Sequence, residues 1–353
     1  MKPTIPSDEF IPDTPGEPAP IDPLGQSESF LAFQEQLSLV ARVERPVLLV
    51  GERGTGKELA ARRLHFLSKR WREPLVALNC AALAPSLIES ELFGHERGAF
   101  TGAIQRRTGR FESADNGTLF LDEIGNIPIE TQEKILRFVE YGGFERVGGT
   151  ETVRADVRIV GATNSDLLAL AAEGRFMRDL LDRLSFEVLF LPPLRARVDD
   201  ILLLANHFAA RMAHELDWAE MPEITPAAAA LLESYPWPGN VRELKNVVER
   251  AVYKSTDTLI TSDEIIFDPF QSPYAPRTPH ADAAAPLVPS SIDASADRFT
   301  SFEEAVRDFE VALLGRALRR AQRNQNKAAA LLGLSYHQFR GLYRKHRDRL
   351  DVS

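Results

Sequence analysis

Gly51-Glu52-Arg53-Gly54-Thr55-Gly56-Lys57 is the stretch of this sequence whose residue types imply chemistry most directly. Its glycines let successive backbone N–H groups turn toward one anion, and Lys57 follows where an ammonium would reach the β- and γ-phosphates of a nucleotide. Glu58 stands where a Ser or Thr hydroxyl would ordinarily meet Mg²⁺, which leaves Thr55 as a weaker ligand from the loop. Downstream, Gly117-Thr118-Leu119-Phe120-Leu121-Asp122-Glu123 is an apolar run closed by two acids. Asp122 would hold Mg²⁺ through its water shell, and Glu123 would polarise an attacking water. Another apolar run ends in Thr163-Asn164, a pair that could sense the γ-phosphate or position that water. Arg178 and Arg183, five apart on an amphipathic segment, could project from nearby turns toward a neighbouring subunit. The alternative is surface ion pairing with Asp179 and Asp182.

A Gly-rich turn or two acids after a strand are commonplace alone, so the flanking elements must decide. Pro46-Val47-Leu48-Leu49-Val50 is a short apolar strand that runs into the loop, and helix-compatible sequence follows from 58 to 71. Residues 75–79, 117–123 and 157–164 read as further strands, each ending in polar residues, and 30–43 has helical spacing. Strands alternating with helices predict an α/β fold with a parallel sheet. After Leu191-Pro192-Pro193-Leu194 the strands stop, and 199–268 reads as helical, with Asn240 as a helix N-cap after Pro236-Trp237-Pro238-Gly239.

Gly98-Ala99-Phe100-Thr101-Gly102-Ala103 is a second kind of loop, one aromatic among small residues. Phe100 has no neighbour large enough to cover it, so it docks into its own domain or forms a moving tip that touches a partner. Near the C-terminus, Asn326-Lys327-Ala328-Ala329-Ala330-Leu331-Leu332-Gly333-Leu334-Ser335-Tyr336-His337-Gln338-Phe339-Arg340 reads as helix, Gly turn and a helix capped by Ser335. Net charge is −9, yet 316–349 carries ten Lys/Arg against Asp348 alone, a local +9 on a body of −18. That concentration favours a DNA-binding helix-turn-helix over a purely packing hairpin, with Asn326, Lys327, Ser335, Tyr336, His337, Gln338, Arg340, Arg344 and Lys345 facing DNA.

The 353 residues exceed one ordinary domain. The division expected is a disordered, proline-rich leader (1–24), an α/β ATPase subdomain (25–194), a helical lid (195–268), a proline-rich linker (269–298) and the helix-turn-helix domain (299–353). Cys80 is the only cysteine, which excludes internal disulfides and fits a reducing cytoplasm. There is no signal-peptide core and no apolar run of a length that spans a membrane. The seven histidines show no metal-ligand spacing with Cys80, so no zinc site is expected.

Together these residues resemble the bacterial enhancer-binding activators of sigma-54 RNA polymerase, a branch of the AAA+ ATPases. The likeness covers roughly residues 24–350, and 98–103 matches the family's GAFTGA loop, with Glu91-Leu92-Phe93-Gly94-His95-Glu96-Arg97 before it. The resemblance implies ring-forming subunits, usually homo-hexamers, with ATP and Mg²⁺ bound between neighbours. It implies that Lys57 is the Walker A lysine, that Glu58 is normal at its position, and that Asp122 and Glu123 are Walker B. Asn79 would hold Glu123, Thr163 and Asn164 would form sensor I, and Arg242 in Gly239-Asn240-Val241-Arg242-Glu243-Leu244 would be sensor II. Arg183 matches one arginine finger that acts across subunits. Met177 stands at the other finger's position, with Arg178 one place later as a substitute. Residues 98–103 would engage sigma-54, and the C-terminal domain would bind enhancer DNA.

No sensory module is expected before the ATPase, so a separate negative regulator is expected to act in trans, with Trp71 as its anchor or simply as a helix-end cap. Two other readings stay open: an AAA+ remodeller of a different protein or nucleic acid, and a DNA-binding regulator that uses ATP only as a switch.

Overall fold

The computed structural model describes residues 23–255, 257–270, 302–321 and 324–346, without the side chains of 302–306, 308 and 337. Most of the expected leader and linker, the side chain of His337 and the basic residues 323, 347 and 349 lie outside that description. Two compact units divide the chain at 267/268.

The first unit begins with α1 (Glu28–Ala41), β1 (Val47–Val50), α2 (Lys57–Phe66), β2 (Leu75–Asn79) and α3 (Pro85–Phe93). Next come β3 (Gly94–His95), β4 (Arg107–Thr108), α4 (Arg110–Ser113), β5 (Thr118–Asp122), α5 (Ile129–Tyr141), β6 (Gly143–Glu145) and β7 (Thr152–Arg154). The α/β part closes with β8 (Arg158–Thr163), α6 (Leu167–Ala172), α7 (Arg178–Leu184) and β9 (Glu187–Phe190).

Five strands form one parallel sheet in the order β2-β5-β8-β1-β9. Alternate side chains feed two cores, as the two-residue period of a strand requires. Leu48, Leu119, Leu121 and Ile159 pack with Phe111, Ile135 and Phe138, while Leu49, Phe120 and Val160 pack with Leu37 and Leu64. Because the strands run the same way, Gly51, Asn79, Asp122 and Thr163 all emerge at one edge, with Val50 opposite Thr163 and Asn79 opposite Asp122.

Helix α2 ends at Phe66, not at residue 71 as its composition suggests. Arg70 pulls the following turn away by donating to Glu44, Asp156 and the Gly117 carbonyl. The strand β9 and the pairs β3/β4 and β6/β7 had no counterpart in the sequence reading. They are two to four residues long, too short for a two-residue period to register.

The rest of this unit comprises α8 (Asp199–Glu215), β10 (Glu223–Ile224), α9 (Pro226–Ser234), α10 (Asn240–Lys254) and β11 (Leu259–Ile260). The expectation that strands stop after residue 194 is corrected by β10 and β11, which pair in parallel and tie the α8–α9 connection to the segment after α10. Its core gathers Leu204, Leu232, Trp237, Leu244 and Val248. The second unit holds α11 (Phe302–Arg320), α12 (Gln325–Leu331) and α13 (Tyr336–Lys345), packed around Leu314, Ala317, Ala328, Ala329 and Phe339.

Candidate functional site

The strand tips bring the phosphate-loop and acidic residues together. Gly51 N–H donates to the Thr163 carbonyl, which continues the β1–β8 ladder into the loop. Thr55, buried, donates its hydroxyl to the Glu52 carbonyl at 2.9 Å. Lys57 is the first residue of α2, and its Nζ donates to the carbonyls of Gly51 (2.9 Å) and Glu52 (3.3 Å) and lies 4.0 Å from Glu123 Oε1. Burial pushes the Lys57 pKa down, while the charges of Glu123 and Asp122 oppose that shift. A buried ammonium on two carbonyls and a carboxylate is a cation positioned for an anionic ligand. The Glu58 carboxylate is exposed and pairs with Arg62 at 2.9 Å, yet lies near enough for its charge to act on Asp122.

Asp122 accepts from the Glu123 N–H (3.0 Å) and from Asn79 Nδ2 (3.1 Å). Asn79 therefore holds Asp122 here, not Glu123 as the resemblance implied, because the β2–β5 register sets Asn79 directly opposite Asp122. Asn79 Oδ1 takes the Ala81 and Ala82 N–H groups, which fixes the amide's orientation. Burial, followed by the neighbouring Glu123 charge, raises the Asp122 pKa. Two crowded acids whose anionic forms repel are a fitting donor set for a divalent cation. Among the described residues no group of three His, Cys, Asp or Glu could cage a metal alone, so phosphate oxygens and water would complete its shell. Glu123 has φ +52 and accepts from the Asn164 N–H at 3.4 Å, while Thr163 Oγ1 is buried and accepts from Ser165 N–H. The Asn164 side chain is exposed.

On the loop's other side stands α10. Asn240 is not the expected N-cap; Gly239 occupies that position. Asn240 is fully buried with φ +53, and its amide donates to Glu52 and to the Arg53 carbonyl. Val241 N–H donates to the Gly54 carbonyl, and Arg242 is near enough to lower the Lys57 pKa slightly. Gly54, at φ +78, meets Gly239 so closely that an added Cβ would collide with the Gly239 carbonyl. Arg195 completes the site with a bidentate pair to Glu52, and with Asn240 it holds the Glu52 carboxyl down at about 2. Nothing in the local sequence distinguishes Arg195 from Arg197, two residues later after the same Leu-Pro-Pro-Leu.

The 98–103 loop rises between β3 and β4 and closes through Gly98 N–H to the Ala103 carbonyl, 2.9 Å. Phe100 is 42% exposed, as expected of an aromatic whose loop neighbours are too small to cover it, and the one ring it meets among the described residues is His95, edge-on with centroids 4.9 Å apart. Thr101 and Gly102 are exposed and Ala103 is buried. Below the loop, Arg146 is buried between Glu112 (2.6 Å) and Glu96 (3.1 Å) and ties the loop's base to α4 and β6. Sequence reasoning missed that brace, whose members lie 34 and 50 residues apart.

Arg178 pairs with Asp182 at 3.3 Å and Arg183 with Glu140 on α5 at 3.0 Å; both guanidinium groups are largely exposed. Met177 caps α7 and packs on the core. Trp71 is 40% exposed, edge-on to Phe66 with Arg72 over its ring, and lines a cavity of about 380 Å³ with Arg62, His65 and Phe120.

In the second unit Asn324 caps α12, and Ser335 with Gln338 forms a capping box on α13. Gln338 and Lys345 already have partners, Ser335 and Glu310, whereas Asn326, Lys327, Arg340 and Arg344 are exposed. Tyr336 is 37% exposed.

Residues 24–189 match the sigma-54 interaction domain, 195–280 the AAA+ ATPase lid domain and 305–346 the Fis family of bacterial regulatory proteins. The chain is 51% identical to the Psp operon transcriptional activator of Escherichia coli K12 over 323 residues, 92% of this chain and 97% of that one. It is 41% identical to the regulatory protein AtoC of the same organism, over 88% of this chain and 65% of that longer protein. Among solved structures, Brucella abortus NtrX in complex with ATP is similar at 33% identity and a TM-score of 0.64, covering 93% of this chain and 69% of that one; the same protein was also solved with ADP.

Proposed function

Since the chain belongs to the sigma-54-dependent transcriptional activators, AAA+ ATPases with a helix-turn-helix DNA-binding domain, we propose that it hydrolyses ATP at the edge where 51–57, Asp122, Glu123 and Arg242 meet, and uses that energy to open promoters. The observation that carries this is Lys57 set between the loop carbonyls and Glu123, within one site that α10 closes. Lys57 would take the β- and γ-phosphates, and Asp122 would hold Mg²⁺ through water. Glu123 would accept the proton of the attacking water, while Thr163 and Asn164 read the γ-phosphate. Asn79, which fixes Asp122, would report the state of that carboxylate. Mg²⁺ supplies charge neutralisation of the phosphates; the chain's own part is to place Asp122 and Glu123 against it.

Exposed Arg183, with Arg178 in place of the arginine absent at Met177, would act on a neighbour's ATP in a homo-hexameric ring. Residues 98–103 would contact sigma-54 in the RNA polymerase holoenzyme, with Phe100 leaving His95 to do so. Tyr336, Arg340 and Arg344 on α13 would read upstream enhancer DNA, and Lys327 would hold phosphate. The likeness to the Psp operon activator supports a cytoplasmic phage-shock role, restrained by a phage-shock protein A-like negative regulator at Trp71. The domain division proposed is the one expected from the sequence, with the unit boundary at 267/268 one residue from the start of its linker.

The deciding experiment compares Glu123→Gln and Thr101→Ala with wild type for ATP binding, hydrolysis and opening of a sigma-54 promoter. Glu123→Gln should bind ATP, hydrolyse it at least about a hundredfold more slowly and open nothing. Thr101→Ala should hydrolyse without opening. Promoter opening by a hydrolysis-dead Glu123→Gln would show that ATP is only a switch.

A further inference from the structure

Three consecutive residues of the phosphate loop take their outward partners from beyond the sheet. The Glu52 carboxylate is held by Arg195 Nη2 and Nη1 (2.5 and 2.8 Å) and by Asn240 Nδ2 (3.1 Å). The Arg53 carbonyl accepts from Asn240 Nδ2 at 3.0 Å, and the Gly54 carbonyl accepts from Val241 N–H at 3.1 Å. Asn240 Oδ1 in turn accepts the Leu194 N–H at 2.8 Å, so one buried amide joins the loop, the start of α10 and the strand-to-lid connection. From the sheet side, only Gly51 is tied by a backbone bond to a strand end, Thr163.

We propose that Arg195 and Asn240 are positioning residues that clamp the phosphate loop to the lid through Glu52, so that the lid's position sets how long nucleotide is held. The inference rests on the reading of 51–57 as the phosphate cradle and extends it to nucleotide release. With the lid home, the backbone at 52–54 is fixed from outside and its N–H groups keep their orientation. When the lid tilts, the Glu52 carboxylate and the two carbonyls lose these partners together, because all of them attach within 194–195 and 240–241. The loop then relaxes and the phosphates leave. Asn240 adopts a left-handed backbone that asparagine tolerates better than most residues, and its side chain carries both a donor and an acceptor. A leucine or alanine there could not join all three elements. Arginine is likewise specific, since a lysine offers a point charge and not a fork.

The test measures binding and stopped-flow release of fluorescent ATP and ADP analogues, with KM and kcat, in full-length wild type, Arg195→Ala, Arg195→Lys, Glu52→Gln and the Glu52→Gln/Arg195→Ala double variant. Arg195 is half exposed, so its replacement leaves the core intact. Arg195→Ala should release both nucleotides about three- to tenfold faster, raise KM by a similar factor and change kcat less than KM. Arg195→Lys should restore part of the loss. The double variant should be no worse than the more affected single variant, as expected for two residues acting through one contact. Unchanged release in Arg195→Ala, or effects that simply add in the double variant, would overturn the clamp. Lys57→Ala separates the clamp from the reading beneath it: wild-type nucleotide binding by that variant would refute the cradle itself. Lost binding there, with wild-type release in Arg195→Ala, would refute only the clamp.

Discussion

Cys80 lies directly after Asn79, one residue beyond the β2 tip, yet its chemistry is silent. Burial, reinforced by the charges of Asp122 and Glu123, pushes its thiol up to about 12. Iodoacetamide at pH 8 should therefore leave native Cys80 unmodified over hours and label it within minutes in urea, as mass spectrometry would show. Glu52 shows the opposite shift. Its folded pKa of about 2 lies below the ordinary 4.5, so the clamp is complete above pH 4.5 and is lost as pH falls toward 2. A carboxyl-carbon NMR titration should find Glu52 still ionised at pH 4, when ordinary glutamates are largely protonated. Lys57, Asp122 and Glu123 were legible in the sequence because an apolar strand leads to each. Asn240 was misread for a physical reason: an asparagine amide can satisfy its own helix or another element, and only the tertiary neighbour decides. Arg195 and the Asn79–Asp122 bond depend on pairing between distant segments, which local spacing does not encode.

At the scale of elements, β1, β2, β5 and β8 were visible as apolar runs, whereas β9 and the two- and three-residue strands were not. The lid depends on Trp237, fully buried at φ +49, with its indole N–H donated to the Leu232 carbonyl and its ring against Tyr235 and Phe267. Trp237→Ala should cost the first unit about 3–5 kcal/mol, measured by urea unfolding followed in the far-ultraviolet. In the second unit, Ser335→Ala removes the hydroxyl that accepts Gln338 N–H and should cost about 1 kcal/mol. Ser335→Asp should restore most of that, because either side chain can cap α13.

For the whole molecule, composition already indicated an acidic body with a basic end, and the basic 316–349 segment falls within the second of the two units that divide at 267/268. What composition could not give was which of the described cations are engaged: Lys345 pairs with Glu310, while Arg340 and Arg344 are exposed. DNA affinity should fall steeply between 50 and 200 mM salt, and removal of 268–353 should abolish that binding while ATP hydrolysis stays within about twofold of the full chain, given that the residues proposed for the ATP site all lie in the first unit. Filter binding and a coupled ATPase assay would check both halves.

The feet of the 98–103 loop are an antiparallel pair, Gly94 with Thr108 and His95 with Arg107. The chain therefore leaves the core and returns to it at the same point, as a grafted hairpin would. Residues 96–106 pair with no strand of the central sheet, and the loop is held from the side by Glu96 on Arg146 and by the Glu96 N–H on the Val147 carbonyl. In architectural terms the loop is an appendage: a substitution at its tip, such as Thr101→Ala, alters no residue of the central sheet.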